Sequence, residues 1–483
     1  MMHYMHLTQT IFACIQDSSL AWKEIRYMPS KKMTVQIMSP GLLEDDTLAL
    51  GDMLIKQWKI PTDLPLFLAF GSFRHSVKVI PLTRSDGVRM SAGLARKMGI
   101  QPRSPLRLTY RPHSSTIQFG PLLGVLLSQD YAENPERPFG KMTLFCRELA
   151  NACSRQGVYV YFFTPEHIGK NSEQVSGWVF YKDEWKKTQL PAADVFYNRL
   201  TSRKLENKPS VQHFMKEVKS RYGSHFFNEK YLDKTEVFDA LAKDGSLLRY
   251  LPESHLFRGY SMLKAMCAKY PIVFLKPVKG SLGKGIIRIS RLENGVYQAL
   301  TTQVGGTRRH TYPSLTKLFS ALSGRMKATR YQIQQGLHLI EIDHRPVDFR
   351  ALVQKNLAGK WSTTSIVARI AGNQHFVSNL ARGGTLSTVK EAISRSSLQP
   401  GMKSRVDARL RKAALDIAQG VDANLPAHFG EFGIDLAVDI SGRVWLIEVN
   451  SKPSKNDNTP MGAGKIRPSV KRVIEYTRYL SGF

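Results

Sequence analysis

The chain has 483 residues, 42% of them apolar, with 69 Lys and Arg against 39 Asp and Glu for a net charge of +30. This length and apolar content predict roughly two to four globular domains with sizeable cores. No apolar run is long enough to cross a bilayer as a helix, and the positive charge makes an anionic polymer a candidate partner.

Residues 1–32 lack a clear secretory pattern and read as a start-site extension or disordered leader ahead of Met33. Residues 33–118 alternate apolar and polar, as in Ser76-Val77-Lys78-Val79-Ile80, which predicts a small β-rich domain with one helix at 91–98. Residues 119–223 turn to an α/β pattern, with strands expected at 122–127, 158–163, 178–181 and 195–198. Met142, Phe145, Leu149 and Ala152 mark an amphipathic helix between the first two. Strand–helix–strand order implies a right-handed parallel unit. Cys14, Cys146, Cys153 and Cys267 have no metal or redox spacing and read as buried small apolar residues of a chain in a reducing cytoplasm. No internal repeat stands out.

A final domain is expected over 224–483. It opens with a helix at 234–243 and a strand at 247–250. Pro271-Ile272-Val273-Phe274-Leu275-Lys276-Pro277 is then a strand ending in a lysine, followed by Lys279-Gly280-Ser281-Leu282-Gly283-Lys284-Gly285 and a second strand at 286–289. Such a hairpin lets backbone N–H groups close over phosphate oxygens, because glycine adopts the required φ and presents no side chain. It is neither a Walker A loop nor a Rossmann turn. Strands at 347–354, 363–369 and 377–380 follow, and Val406, Leu410, Ala414, Ile417 and Val421 stripe a helix.

Two apolar runs then carry acids: Asp435 in Gly433–Asp439, and Glu448 with Asn450 ending Val444–Asn450. Adjacent strands would bring Asp435, Glu448 and Asn450 to one face, a hard-oxygen set suited to Mg²⁺. A last helix buries Val470, Val473, Ile474 and Leu480. Lys403, Arg405, Arg409, Arg411 and Lys412 form one basic patch, and Lys465, Arg467, Lys471 and Arg472 another.

The order of lysine strand, Gly-rich loop, central strands, helix and Asp … Glu-x-Asn over 224–483 resembles the ATP-grasp superfamily. Asp348-Phe349-Arg350, Ala368-Arg369-Ile370 and the run from Phe376 to Gly384 are similar to its glutathione synthetase and ribosomal-S6 glutamate ligase branch. With Tyr197-Asn198-Arg199, Phe226-Phe227-Asn228, Gln334-Gln335-Gly336 and the run Trp445 to Pro453, the chain resembles the YheC/YheD-type ATP-grasp proteins of endospore-forming bacteria, described as spore-coat associated. The resemblance implies an α/β (α+β) architecture, an ATP-grasp fold preceded by a small parallel α/β domain and the β-rich domain. It implies an ATP- and Mg²⁺-dependent ligase, with Mn²⁺ as an alternative ion, that joins a carboxylate to an amine or thiol through an acyl-phosphate. Lys276 would serve the α/β-phosphates, Lys234 would match the family's earlier nucleotide lysine, and the loop Gly280, Ser281, Gly283, Lys284 and Gly285 would cover the β/γ-phosphates. Gln334, Gln335 and Leu337 would read adenine, with Glu341 or Asp343 on the ribose. Arg369 and Asn379 would hold the transferring phosphoryl group and the acceptor, and Asp435, Glu448 and Asn450 the metal. Asp348 and Arg350 read either as an ion pair of their own or as substrate contacts, and Glu431 as a second carboxylate behind the metal or a solvated one. His338 and His344 are bystanders. Asn198, Arg199 and Asn228 are candidate acceptor contacts. Two rival functions are a spore-coat structural protein that binds nucleotide without turnover, and a polyanion-binding protein.

Overall fold

The computed structural model describes residues 30–483 apart from 84–85, 170, 279–284, 304–305, 373–383 and 456–464. Its described residues divide into two compact units: those up to Phe227 with 357–359 and those of 455–483, and those of 228–356 with 360–454.

The first unit opens with a closed barrel of seven strands in spatial order Lys31–Met38, Val88–Ser91, Thr47–Gly51, Phe73–Leu82, Leu66–Phe70, Thr116–Gly120 and Pro105–Arg111. Lys31 and Lys32, assigned from sequence to the leader, pair with Leu108 and Arg107 and so belong to the barrel. Period-2 alternation fills the interior: Leu66, Leu68 and Phe70 are buried while Phe67 between them is exposed. Two short helices, Asp52–Trp58 and Ala92–Met98, cap it.

The barrel contains a repeat that the sequence reading missed. Leu54, Ile60, Pro65, Leu66 and Leu68 recur forty residues later as Leu94, Ile100, Pro105, Leu106 and Leu108. Each set runs through a strand, a seven-residue helix, a left-handed residue (Lys59, φ 53°; Gly99, φ 68°) and a second strand. The shared feature is the placement of the buried Leu and Ile side chains; of the two prolines, Pro65 is exposed and Pro105 half-buried.

A six-stranded sheet follows in the order Glu184–Pro191, Gln174–Tyr181, Tyr159–Phe163, Leu122–Leu126, Val195–Asn198 and His225–Phe227. The last four are parallel neighbours, and the first two form an antiparallel hairpin on one side. Alternate residues of the parallel strands supply two cores. Leu122, Tyr161, Phe163 and Phe196 join the barrel interior and helix Pro209–Tyr222. Leu123, Val125, Phe162 and Tyr197 face helices Thr143–Gln156 and Pro468–Ser481. The last helix, expected in the domain 224–483, therefore belongs to the first unit, where Val470, Val473, Ile474 and Tyr476 are buried.

The second unit holds two mostly antiparallel sheets. One runs Ser254–Leu256, Tyr331–Gln335, Ile272–Pro277, Ile287–Arg291, Tyr297–Gln303, Gly306–Tyr312, and helices Tyr260–Lys269 and Leu315–Ala328 share its core. The other runs Thr385–Thr388, Trp361–Ile370, Arg345–Lys355, Glu431–Val438, Val444–Asn450 and packs on helices Lys234–Ala242, Val389–Arg395 and Val406–Asn424. The strand expected at 247–250 is instead a 3₁₀ turn, Leu248–Tyr250. Its N–H groups bond locally, Leu247 to Asp244 and Tyr250 to Leu247, so no ladder is needed. The strand expected at 377–380 lies outside the described residues.

Candidate functional site

The lysine strand Ile272–Pro277 points Val273 and Leu275 into the core, so Phe274 and Lys276 fall on the opposite face. Across the ladder Phe274 pairs with Gln334 on one side and Arg288 on the other, which puts Lys276, Gln334 and Arg288 on one face. Lys276 Nζ donates to Gln334 Oε1, and Gln334 Nε2 donates to Ser254 Oγ at 2.7 Å. Burial pushes the Lys276 ammonium down to about 7, Lys234 adds like-charge repulsion, and Glu448 opposes both. Arg288 was not singled out from sequence. Burial lowers its pKa while Glu341 supports its charge. The period-2 rule applied to 286–289 was the signal that could have found it.

The metal-strand expectation has a direct counterpart in the register. Asp435 and Glu448 are Cα partners, and Asn450 pairs with Gly433 two residues along, so all three lie on one face. Arg350 pairs with Asp435 on the other side, and Asp348 with Arg369 on the next strand. Both oxygens of Asp435 are held: Arg350 Nε donates to Oδ1, Arg350 Nη2 donates to Oδ2 at 3.0 Å, and Arg369 Nη2 lies 3.1 Å from Oδ2. Arg369 also makes a two-point contact with Asp348, at 2.5 and 2.8 Å. Asp348 and Arg350 therefore do not pair with each other; each serves a site residue on a neighbouring strand. Gly433 gives Arg350 room, since a Cβ there would lie 3.3 Å from its guanidinium and 2.9 Å from Pro453.

Burial works against the Asp435 charge, but Arg350 and Arg369 outweigh it and hold the carboxyl below the usual range. Burial likewise disfavours the Arg369 charge, yet Asp435 and Asp348 raise its pKa above the ordinary guanidinium value. Burial raises the Glu448 carboxyl; Lys234, with Nζ 3.7 Å from Glu448 Oε2, opposes this, and Asp435 reinforces it. Lys234 stands at the first position of its helix, where the Asp233 side chain accepts from Thr235 N–H at 2.9 Å and fixes the turn.

Two carboxylates and an amide oxygen facing one way fit Mg²⁺, which keeps water and phosphate oxygens in the rest of its shell. A carboxylate has about four lone-pair sites, so Asp435 can hold its arginines and a cation. Among the described residues no group of three or more His, Cys, Asp and Glu gathers as a metal site, so the set depends on Asn450.

Beyond Gln334 the chain is pinned. Gln335 N–H donates to Glu253 O at 2.9 Å and Gly336 N–H to Ile272 O at 2.8 Å. A Cβ on Gly336 would lie 2.5 Å from Ile272 Cβ, so only glycine fits. Leu337 follows, partly buried. Of the two ribose candidates, Asp343 is drawn aside by Arg395 at 3.0 Å and Arg345 at 3.4 Å, whereas Glu341 lies near Arg288.

Gly285 closes the Gly-rich loop at φ 73°, a left-handed conformation suited to glycine. Gly280, Ser281, Gly283, Lys284 and Asn379 lie outside the described residues. Glu431 is buried and accepts from Gln354 Nε2 at 3.0 Å, which rules out the solvated reading. Asn228 is fully buried; its Oδ1 accepts from Gly430 N–H at 2.9 Å and Glu431 N–H at 3.1 Å. Asn198 is also fully buried, bonded to Glu206 at 3.3 Å and to Leu200 N–H at 3.1 Å. Both asparagines brace backbone and have no exposed atoms for an acceptor. His338 is exposed.

A family model described as YheC/D-like ATP-grasp matches residues 223–480. Two Bacillus subtilis proteins are similar in sequence. The endospore coat-associated protein YheD is 29% identical over 370 residues, covering 76% of this chain and 81% of that one. The endospore coat-associated protein YheC is 23% identical over 316 residues, covering 64% and 85%. Among solved structures, the VanG D-Ala:D-Ser ligase of Enterococcus faecalis aligns with a TM-score of 0.42 at 11% identity, over 75% of this chain and 99% of that one. The ATP-grasp ligase PsnB, solved with a precursor variant, Mg and ADP, aligns at 0.41 and 11%, over 74% and 98%.

Proposed function

Because the chain belongs to the YheC/D-like ATP-grasp family, we propose that it is an ATP- and Mg²⁺-dependent ligase joining a carboxylate to an amine or thiol through an acyl-phosphate. The observation that carries this reading is the direct pairing of Asp435 with Glu448, with Lys234 and Lys276 beside Glu448. Two anions and two cations in one place are what a metal–polyphosphate complex needs.

In this reading Lys276 and Lys234 bind the α/β-phosphates, with Arg288 as a third cation on the lysine-strand face. The segment from Gln335 to Leu337 seats the adenine, and Glu341 takes the ribose. Asp435, Glu448 and Asn450 hold Mg²⁺, which when bound neutralises charge developing on the transferring phosphoryl group. Arg369, oriented by Asp348, presents its guanidinium to that group, with Asn379 beside the acceptor. Arg350 keeps Asp435 ionised and turned toward the metal position. The names of the Bacillus relatives support a spore-associated role, and the +30 charge supports an anionic or polymeric acceptor.

Calorimetry of ATP with and without Mg²⁺ tests the site. Mg²⁺-dependent binding that disappears in Glu448→Gln is expected; no binding by the wild type would sink the reading. One observation favours the rival of a nucleotide-binding coat protein without turnover: Asp435 is already neutralised by two guanidinium groups. Acceptor-dependent ADP release separates the two.

A further inference from the structure

The sheet that carries Lys276 has a second side, and that side presents cations the nucleotide reading does not use. Ser254–Gln335, about a sixth of the chain, contains fourteen Lys and Arg and one acid, Glu293, and so thirteen of the thirty net positive charges. The two basic patches visible in the sequence are of a different kind. Arg411 pairs with Asp407, Lys412 with Asp416, Arg467 with Glu148 and Arg472 with Glu475. Among the described residues, the one salt bridge made by a Lys or Arg of Ser254–Gln335 is that of Lys269 with Glu253.

Register and helix packing place these cations. Ile287 and Ile289 point into the core shared with helices Tyr260–Lys269 and Leu315–Ala328, so Arg291, two residues on, faces the helix side as well. Thr301 is the cross-strand partner of Ile287 and pairs in turn with Arg308, which puts Arg308 on that side of the outermost strand. The two helices are neighbours, with Tyr260 Oη and Thr316 Oγ1 2.9 Å apart, and they turn Lys264, Lys317 and Arg325 outward. All five cations are exposed. Lys317 and Arg325 lie about 12 Å apart along their helix, and the exposed residues between them are Ser320, Ala321 and Gly324. Nothing bulky there keeps a polymer backbone from the helix.

The composition of this surface selects among partners. Among its described residues Leu292 is the one exposed large apolar side chain. A protein interface needs an apolar or aromatic centre and an interfacial helix needs apolar side chains to insert, so neither a protein nor a bilayer fits. A polyanion needs only charge and close approach. Arg291, Arg308 and Arg325 offer planar forks that meet two phosphate oxygens at once.

We propose that the helix side of this sheet docks nucleic acid through its phosphodiester backbone, with Lys264, Arg291, Arg308, Lys317 and Arg325 as contacts and no reading of bases. The inference goes beyond the ligase reading and holds whether or not the opposite face turns over ATP.

Fluorescence anisotropy of a labelled DNA duplex, titrated with the full chain between about 50 and 200 mM salt, tests it. Saturable binding at the lower salt is expected, with a steep fall as salt rises and equal affinity for duplexes of unrelated sequence. In Lys317→Ala/Arg325→Ala, affinity at the lower salt should drop about tenfold or more, and the slope of log affinity against log salt should shrink by about two. Lys56→Ala/Lys97→Ala, which removes two exposed cations of the barrel, should bind as the wild type does. A loss there equal to that of the helix pair would show that only the net charge of the chain is felt, and would overturn the proposal. So would no binding at the lower salt, or an unchanged salt slope in the helix variant. Polyglutamate of matched charge should compete poorly; full displacement by it would replace the phosphate partner with a polycarboxylate and overturn the assignment. Mg²⁺–ATP added to the preformed complex should leave the anisotropy unchanged, whereas displacement would move the DNA to the nucleotide face and overturn it too.

Discussion

Lys276 and Asp435 are set in opposite electrostatic environments. Lys276 loses its proton near 7 in the folded protein and near 10.4 when unfolded. Between those values the unfolded chain binds the extra proton, so this group's contribution to stability rises with pH across that window. Phosphate oxygens restore the ammonium, so ATP binding at pH 8 should take up a proton. Calorimetry in buffers of different ionisation heat should show that uptake, absent at pH 6 and in Lys276→Met; equal heats in all buffers would contradict it. Asp435 runs the other way. Its carboxyl is held low, so its contribution is present above about 3.9, the unfolded value, and fades as pH falls through the folded one. Asp435→Ala leaves Arg350 without that partner, and urea unfolding should show a loss of about 3–5 kcal/mol; a loss below about 1 kcal/mol would mean the cluster is solvent-screened. That Asp435, Glu448 and Asn450 share one face was legible because strands alternate with period two. The exchange of partners, Asp348 to Arg369 and Arg350 to Asp435, was not, because it depends on register between strands distant in sequence.

Among elements, the segment Tyr331–Gly336 joins the lysine strand to the expected adenine hinge, and Gly336 is its tightest point. Gly336→Ala would drive a Cβ to 2.6 Å from the Ile272 carbonyl oxygen, a backbone contact that cannot swing aside. We expect a loss of about 1–3 kcal/mol of stability together with weaker ATP binding; wild-type behaviour in melting and in titration would refute the role given to this segment. The elements most legible in sequence were those with a clear period: the helix Val406–Asn424 and the strand pair Glu431–Val438 and Val444–Asn450. The run 247–250 misled because four apolar residues suit a strand or a turn equally. The barrel duplication was hidden because its copies share four buried Leu and Ile positions and one proline spread over fifteen residues, with little else in common.

For the whole molecule, each unit carries its own cores, which predicts two calorimetric transitions rather than one. Mg²⁺–ATP should raise only the transition of the unit containing Lys276 and Glu448, in proportion to the logarithm of ligand concentration; a single transition shifting as a whole would show that the units melt as one. The change from alternating to strand–helix patterns along the sequence falls where the chain passes from the barrel to the parallel sheet. The assignment of the last helix was not legible, because chain order does not reveal which surface an amphipathic helix covers.

That helix sets a constraint in time. Pro468–Ser481 closes the core containing Leu149, Phe162 and Tyr197, yet residues 228–356 and 360–454 of the other unit come between them in the chain. At roughly 5–20 residues per second of synthesis, the first unit waits some tens of seconds after its sheet emerges from the ribosome. During that interval its Thr143–Gln156 face stays uncovered to chaperones and to neighbouring nascent chains.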